Sequence, residues 1–264
     1  MNLGLCLEMA LTRMPFEDRV KTAARLGFKN VEIWWVDSIF KGTPDQLAKL
    51  AQAHGVSVTN TVINSPDGSV GSGLTDPRKS KDAWLERARM TINYNHEAQI
   101  PNTIFLTGNR VPDLNDQQML ESVIEWTKPV VDMAEKAGVT LLLEPLNDKY
   151  DHPDHWLTSS DLGAEICKRI GSQRLRILFD CYHMQVMEGD LVNHIRRSID
   201  VIGHFHSAGV PGRHEVFAGE IDYHFVLSQI EQLRYQGVFG LEFAPSMDDE
   251  ESLTQTLRYL SMKA

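Results

Sequence analysis

Four side chains able to bind a cation or move a proton stand at the ends of apolar runs in the second half of the chain. "VTLLLEP" (139–145) delivers Glu144, "RILFD" (176–180) ends in Asp180, "VIGHFH" (201–206) ends in His206, and "VFGLEF" (238–243) places Glu242 one residue before its end. A lone strand-end carboxylate is ordinarily satisfied by backbone amides. Three carboxylates and an imidazole brought to one place need a cation to neutralise them. Oxygen-rich ligation with one nitrogen suits Mn2+, Mg2+ or Co2+ with open positions, and not the thiolate-rich closed tetrahedra of structural zinc. The expected centre is therefore a divalent metal ion on Glu144, Asp180, His206 and Glu242.

Other polar residues fall near the same strand ends. His183, three residues past Asp180 in "DCYHMQ", is placed in a loop over the mouth, where it can donate to a substrate oxygen or cap a backbone group. Arg213, in "AGVPGRHE", can clamp a carboxylate or hydroxyl, or simply be an exposed loop arginine. His204 shares a strand face with His206 one layer deeper and is expected as a hydrogen-bonded core histidine. Glu32 sits early in its strand, which favours a structural role. Trp34 and Trp35 are expected on opposite faces, one lining the pocket and one under a helix. The "DHPDHW" segment, with His152 and His155, reads as an exposed loop that covers substrate at most.

Side chains from four separate runs meet only in a particular architecture. Apolar runs at 3–8, 31–36, 56–62, 103–108, 139–145, 176–180, 201–206 and 238–243 alternate with helical spacing at 16–26, 44–54, 78–97, 116–137, 159–170, 185–198, 222–235 and 249–262. Such alternation argues for parallel strands with crossover helices, and eight units of this kind make an α/β fold of the (β/α)8 barrel type, whose chemistry sits at the strand C-termini. A doubly wound open sheet is the alternative. Gly27, Gly55, Gly138 and Gly237 each precede a strand and are expected as left-handed residues closing the preceding helix.

The composition is that of one globular domain over 1–264, with 42% hydrophobic and 23% charged residues and no linker-like stretch. A formal charge of −10 with no basic stripe disfavours nucleic acid as a partner. No glycine-rich phosphate loop follows a strand, so nucleotide-dependent hydride transfer loses support. The N-terminus lacks the pattern of a signal peptide and no run is long enough for a membrane span, which reads as a soluble cytoplasmic protein. Cys6, Cys167 and Cys181 are expected as small core residues.

"EPLN", "FDCYHMQVMEGD", "IGHFHSAGVPGRHE" with "GEIDYHFV", and "YQGVFGLEF" resemble the hydroxypyruvate isomerase group of the xylose-isomerase-like TIM-barrel superfamily. The match is dense over 138–243, with "LGFKNVEI" as the clearest N-terminal counterpart. The resemblance implies the same four metal ligands, Glu144 and Glu242 as the proton-transferring pair, and His183 and Arg213 as substrate contacts. It also implies a homo-oligomer, dimer or tetramer, acting on a small-molecule hydroxycarbonyl or sugar substrate. The implied reaction interconverts hydroxypyruvate and tartronate semialdehyde, or 2-oxotetronates, through an enediolate. Two departures bear on the substrate. His206 stands where hydroxypyruvate isomerases of the group carry glutamine and the related ketose 3-epimerases carry histidine. Segment 64–79 lacks the Gly-Asp-Trp and Gly-Glu-Arg-Gly elements associated with the isomerases. A ketose 3-epimerase is therefore the alternative, followed by an inosose-dehydratase-like lyase.

Overall fold

The structure, a computed structural model, describes residues 2–36, 38–69, 71 and 73–262. The extreme ends of the expected 1–264 domain and positions 70 and 72 of the 64–79 segment lie outside the described residues. Strands and helices alternate in the order β1 (Asn2–Cys6), α1 (Phe16–Leu26), β2 (Asn30–Glu32), α2 (Pro44–His54), β3 (Ser57–Val58) and β4 (Asn60–Val62). They continue with α3 (Asp82–Ala98), β5 (Asn102–Phe105), α4 (Asp116–Ala137), β6 (Thr140–Leu143), α5 (Ser160–Ile170) and β7 (Leu175–Asp180). The remainder is α6 (Cys181–Met187), α7 (Leu191–Ser198), β8 (Ile202–Ser207), α8 (Tyr223–Gln232), β9 (Val238–Leu241) and α9 (Asp249–Ser261).

All pairings are parallel, in the order β3-β2-β1-β9-β8-β7-β6-β5-β4. The two ends of this order are neighbours in the chain, divided only by Thr59, so the sheet meets itself and the open-sheet alternative falls away. Thr59 makes the join: its N–H donates to Val31 O (2.9 Å) and its carbonyl accepts from Asn102 Nδ2 (2.9 Å). The expected strand 56–62 is thereby split, because its first half pairs with β2 and its second with β5.

Burial on both faces explains why these strands read as continuous apolar runs. One large core lies between barrel and helices. A second, smaller one fills half of the barrel interior with Val62, Ile104, Leu142 and Leu178. The other half of the interior is polar, with Glu32, Asn60 and His204 buried there.

Gly27, Gly55 and Gly138 close α1, α2 and α4 in the left-handed region as expected. Gly237 does not. Helix α8 ends earlier, Arg234 takes the left-handed turn (φ 59°), and a Cβ on Gly237 would lie 2.2 Å from the Tyr235 hydroxyl. The expected helix 185–198 is two helices, α6 and α7, broken where Gly189 and Asp190 both adopt positive φ. "CYHMQ" is helix and not loop. Asp180 caps α6 by accepting from the amides of Tyr182 (2.7 Å) and His183 (3.3 Å), so the chain coils as soon as β7 ends.

One buried side chain on α3 ties the helix layer to the barrel at its closure. Asn95 accepts from the Thr61 hydroxyl (3.0 Å) and donates to Asn102 O (2.8 Å), while the Thr61 and Thr103 hydroxyls lie 3.0 Å apart. Removing it strands several buried polar groups, so Asn95→Ala is expected to cost roughly 2 kcal/mol, a fall in Tm of about 4–8 °C. Thermal unfolding followed by circular dichroism checks this, and an unchanged Tm would refute the role assigned to Asn95.

Candidate active site and metal centre

Glu144, Asp180, His206 and Glu242 each offer one ligand atom, and these atoms all lie within 4.8 Å of one another. They stand at or just past the C-terminal ends of β6, β7, β8 and β9, four neighbours around the barrel, and all four are buried. Asp180 divides its oxygens: Oδ1 holds the α6 amides, and Oδ2 remains for other partners. Capping by backbone amides and service to the centre are thus carried by different atoms of one carboxylate.

The orientation of His206 follows from the residue beneath it. Glu32 Oε2 accepts from His206 Nε2 (2.7 Å) and Glu32 Oε1 from His204 Nε2 (2.9 Å). A carboxylate only accepts, so both Nε2 atoms carry hydrogen, and His206 Nδ1 faces Glu242 Oε1 (3.5 Å) and Glu144 Oε1 (3.8 Å). Buried Nδ1 has no hydrogen-bond partner. Burial pushes the Glu32 carboxyl up, but the charges of His204 and His206 outweigh it and hold Glu32 well below the usual carboxylate range. His204 is the hydrogen-bonded core histidine expected, whereas Glu32 closes β2 and does not sit early in its strand, and from there it holds both imidazoles. Gly4 and Gly240 make the room: a Cβ on either would approach Glu32 Oε1 to 2.7 and 2.5 Å.

The electrostatics are those of a cluster with too much negative charge for its single imidazole. Burial and the neighbouring Glu242 charge raise Asp180 to about 7 and also raise Glu144. Burial would lower His206, but the charges of Glu242 and Glu32 raise it well above the ordinary range. Glu242 is lowered, since the charges of His206 and Arg213 outweigh its burial. The unpartnered Nδ1 and the unbalanced carboxylates fit a divalent cation, with mainly oxygen donors and one imidazole.

A cavity of about 310 Å³ opens over this cluster. Glu144, Glu242, His183 and Arg213 line one side; Trp34, Trp35, Ile104 and Leu106 are among the apolar groups on the other. His183 is fully buried, and its Nδ1 accepts from the Asn147 backbone amide (3.1 Å), so the neutral ring carries its proton on Nε2. That Nε2 is buried without a hydrogen-bond partner, and burial together with the Arg213 charge keeps the ring neutral. Arg213, with φ 58°, donates through Nη2 to Glu242 Oε2 and packs over the Tyr182 ring (5.3 Å). The exposed-loop alternative for Arg213 does not apply, because its side chain is only 17% exposed.

Two expectations are corrected, the opposite faces of Trp34 and Trp35 and the exposure of His155, while His152 keeps its expected place over the cavity. Trp34 and Trp35 both line the cavity, because β2 ends at Glu32 and strand alternation stops there. His155 is buried, its residue bridged to Asn109, although Asp151, Pro153 and Asp154 beside it are exposed as expected of the loop. His152 lines the cavity with its ring 5.5 Å from that of His183. Sequence reasoning missed the partners that orient the site. Asn147, three residues past Glu144, donates to Asp151 (2.6 Å), which also accepts from the Tyr182 hydroxyl (2.8 Å); the Trp34 indole donates to Glu242 Oε1 (3.1 Å). Only the proximity of Asn147 to Glu144 in "EPLN" hinted at any of these. Cys6, Cys167 and Cys181 are buried and free, and burial pushes all three thiols up.

The crowding at Gly240 yields a prediction. In Gly240→Ala the new methyl meets Glu32 Oε1 at 2.5 Å and His206 Cδ2 at 2.7 Å. Overpacking of this kind costs about 1–3 kcal/mol, and displacing His206 from its carboxylate partner should weaken Mn2+ binding about 10-fold or more. Isothermal titration calorimetry alongside thermal unfolding checks both; wild-type values in each would show that the glycine is dispensable.

Comparison with known proteins places this geometry in a family. The chain is 30% identical to 2-oxo-tetronate isomerase of Cupriavidus necator, over 96% of this chain and 96% of that protein. It is 28% identical to hydroxypyruvate isomerase of Escherichia coli, over 94% and 95% respectively. A crystal structure described as an AP endonuclease, family 2, from Brucella melitensis superposes with a TM-score of 0.88 over 98% of this chain and 99% of that one, at 23% identity, which speaks to the fold alone. The family pattern described as xylose isomerase-like TIM barrel matches residues 20–262, and the chain belongs to that family.

Proposed function

We propose that the protein is a metal-dependent isomerase of small hydroxycarbonyl compounds, of the hydroxypyruvate/tartronate semialdehyde or 2-oxotetronate type, working by proton transfer through an enediolate. The observation that carries this reading is the set of four ligand atoms within 4.8 Å of one another, together with the unpartnered Nδ1 of His206, at a cavity sized for a small molecule that Glu144 and Glu242 line. The two isomerase relatives support it along nearly the whole chain.

Glu144, Asp180, His206 and Glu242 would hold the ion, Mn2+, Mg2+ or Co2+. When bound, it supplies positive charge next to the oxygens on which negative charge develops as the α-proton leaves. Proton work falls to Glu144 and Glu242, which stand on the non-adjacent strands β6 and β9 and reach the same cavity. One carboxylate takes the proton from the carbon next to the carbonyl. Return of a proton to the neighbouring carbon, with the hydroxyl hydrogen passing to the former carbonyl oxygen, gives the isomer. Asp180 moves no proton in this scheme, its Oδ1 being committed to the α6 amides. His183 donates its Nε2 hydrogen to a substrate oxygen, and Arg213 both steadies Glu242 and contacts substrate. The apolar groups lining the cavity lower the local dielectric, which strengthens each electrostatic contact.

A second reading is favoured by one residue. His206 stands where glutamine is associated with the hydroxypyruvate isomerases, and histidine with ketose 3-epimerases. In that case the proton returns to the opposite face of the same carbon. We read the setting as cytoplasmic, in keeping with three unpaired thiols, and the assembly as a homo-oligomer with no nucleic-acid or membrane partner. No helix among the described residues is long and apolar enough to cross a membrane.

Incubation in D2O with Mn2+ and a panel of hydroxypyruvate, tartronate semialdehyde, 2-oxotetronates and C5 or C6 ketoses should place deuterium at an α-carbon of at least one compound. The products separate isomerase, epimerase and lyase; absence of exchange and turnover across the panel, with metal bound, would sink the reading. Chelation with EDTA should abolish turnover and added Mn2+ restore it. Glu144→Gln and Glu242→Gln should each lower kcat by roughly 10²- to 10⁴-fold. Full activity in either variant would refute its place in proton transfer.

A further inference from the structure

Glu8 is an acidic residue near the site with no part in the chemistry above. It lies two residues past the end of β1, in a turn braced by Arg19, whose guanidinium donates to the carbonyls of Leu7 (2.7 Å), Thr12 (2.9 Å) and Met14 (2.9 Å). Glu8 Oε1 accepts from the backbone amide of Trp34 (2.6 Å), while Oε2 is buried with no hydrogen-bond partner. Burial pushes its carboxyl up to about 8 despite the amides of Trp34 and Trp35, so at neutral pH it is largely a neutral acid. A half-buried acid that leaves one buried carboxyl oxygen without a partner is a costly way to satisfy a loop, and such groups concentrate near functional sites.

What that amide carries explains the arrangement. The Trp34 indole Nε1 donates to Glu242 Oε1 (3.1 Å), the oxygen that faces His206 Nδ1 at 3.5 Å. The other carboxylate oxygen, Oε2, accepts from Arg213. Both oxygens of Glu242 are therefore oriented by side chains from different parts of the barrel. Trp34 follows the end of β2 by two residues and has no strand ladder to hold it. Its backbone is gripped at two points, Glu8 on the N–H and the Val62 amide on the carbonyl (2.6 Å).

We propose that Glu8 is a positioning residue, which fixes the Trp34 backbone so that the indole holds one carboxylate oxygen of Glu242 in place. The inference rests on the isomerase reading of the site for its catalytic consequence and on geometry alone for its structural one. A neutral acid serves here because the role needs an acceptor and no charge, in a region that already gathers Glu32, Glu144, Asp180 and Glu242.

The test is a double-mutant cycle with Glu8→Leu, Trp34→Phe and their combination, plus Glu8→Gln. For each, kcat and KM are measured on the panel substrate, the Mn2+ dissociation constant by isothermal titration calorimetry, and Tm by unfolding. Trp34→Phe removes a hydrogen bond to a charged group, so kcat should fall and the Mn2+ constant rise by about 10-fold. Glu8→Leu should reproduce both shifts, the double variant should be no worse than Trp34→Phe because the residues act in series, and Glu8→Gln, which keeps the acceptor, should rescue most of the loss. Additive losses, or a Glu8→Leu protein with a lower Tm but wild-type kcat and Mn2+ affinity, would overturn the proposal. Should Glu8→Leu fail to fold, Glu8→Asp withdraws the acceptor by one methylene and must show the same shifts. If no panel compound turns over, the isomerase reading fails while the Mn2+ series still decides the role of Glu8.

Discussion

The site depends on one buried carboxylate, Glu32, gripped by two imidazoles inside the barrel. Its hydrogen bonds to His204 and His206 hold Nε2 of each ring and aim His206 Nδ1 at Glu144 and Glu242. Much of the surrounding sequence serves this contact. Gly4 and Gly240 lack the Cβ that would occupy its space, and Asn60 adds a third donor to the carboxylate, on Oε2 at 3.3 Å. Asn60 opens β4, just past the Thr59 join, so closure of the sheet and completion of the Glu32 shell are the same local event.

Around that contact the barrel is divided. Strands β6 to β9 bring the charged groups, while the segments following β2, β4 and β5 bring Trp34, Trp35, Pro66 and Leu106 to the cavity. The apolar side lowers the local dielectric and so raises the influence of each charge on the other side. A loop network keeps the charged side in place: Asn147 holds His183 and Asp151, Asp151 holds Tyr182, and the Tyr182 ring lies against Arg213. Each link is a hydrogen bond or a stacking contact, which suits a site whose groups must not reorganise during reaction.

The elements were legible because strand burial and helical periodicity are local properties. Every expected strand and helix has a counterpart, and the two that divide, at Thr59 and at Gly189–Asp190, do so for reasons outside their own periodicity: a change of pairing partner in one and a pair of left-handed residues in the other. Gly237 was misread for a related reason, since a glycine before a strand looks like a helix stop whether the missing Cβ serves a left-handed turn or a neighbouring tyrosine.

At the site, sequence by itself determined that Glu144, Asp180, His206 and Glu242 stand at strand ends, because a polar residue closing an apolar run must emerge at a sheet edge, and parallel strands place all such edges on one rim. Only the tertiary structure decided that Glu32 holds His206 by Nε2 and turns Nδ1 to the site, that His183 presents Nε2, and that Trp34 and Arg213 share Glu242 between them. These facts join residues separated by as many as 208 positions, as Trp34 and Glu242 are. Hydrogen-bond direction depends on where folded segments meet, and no spacing within one segment encodes it.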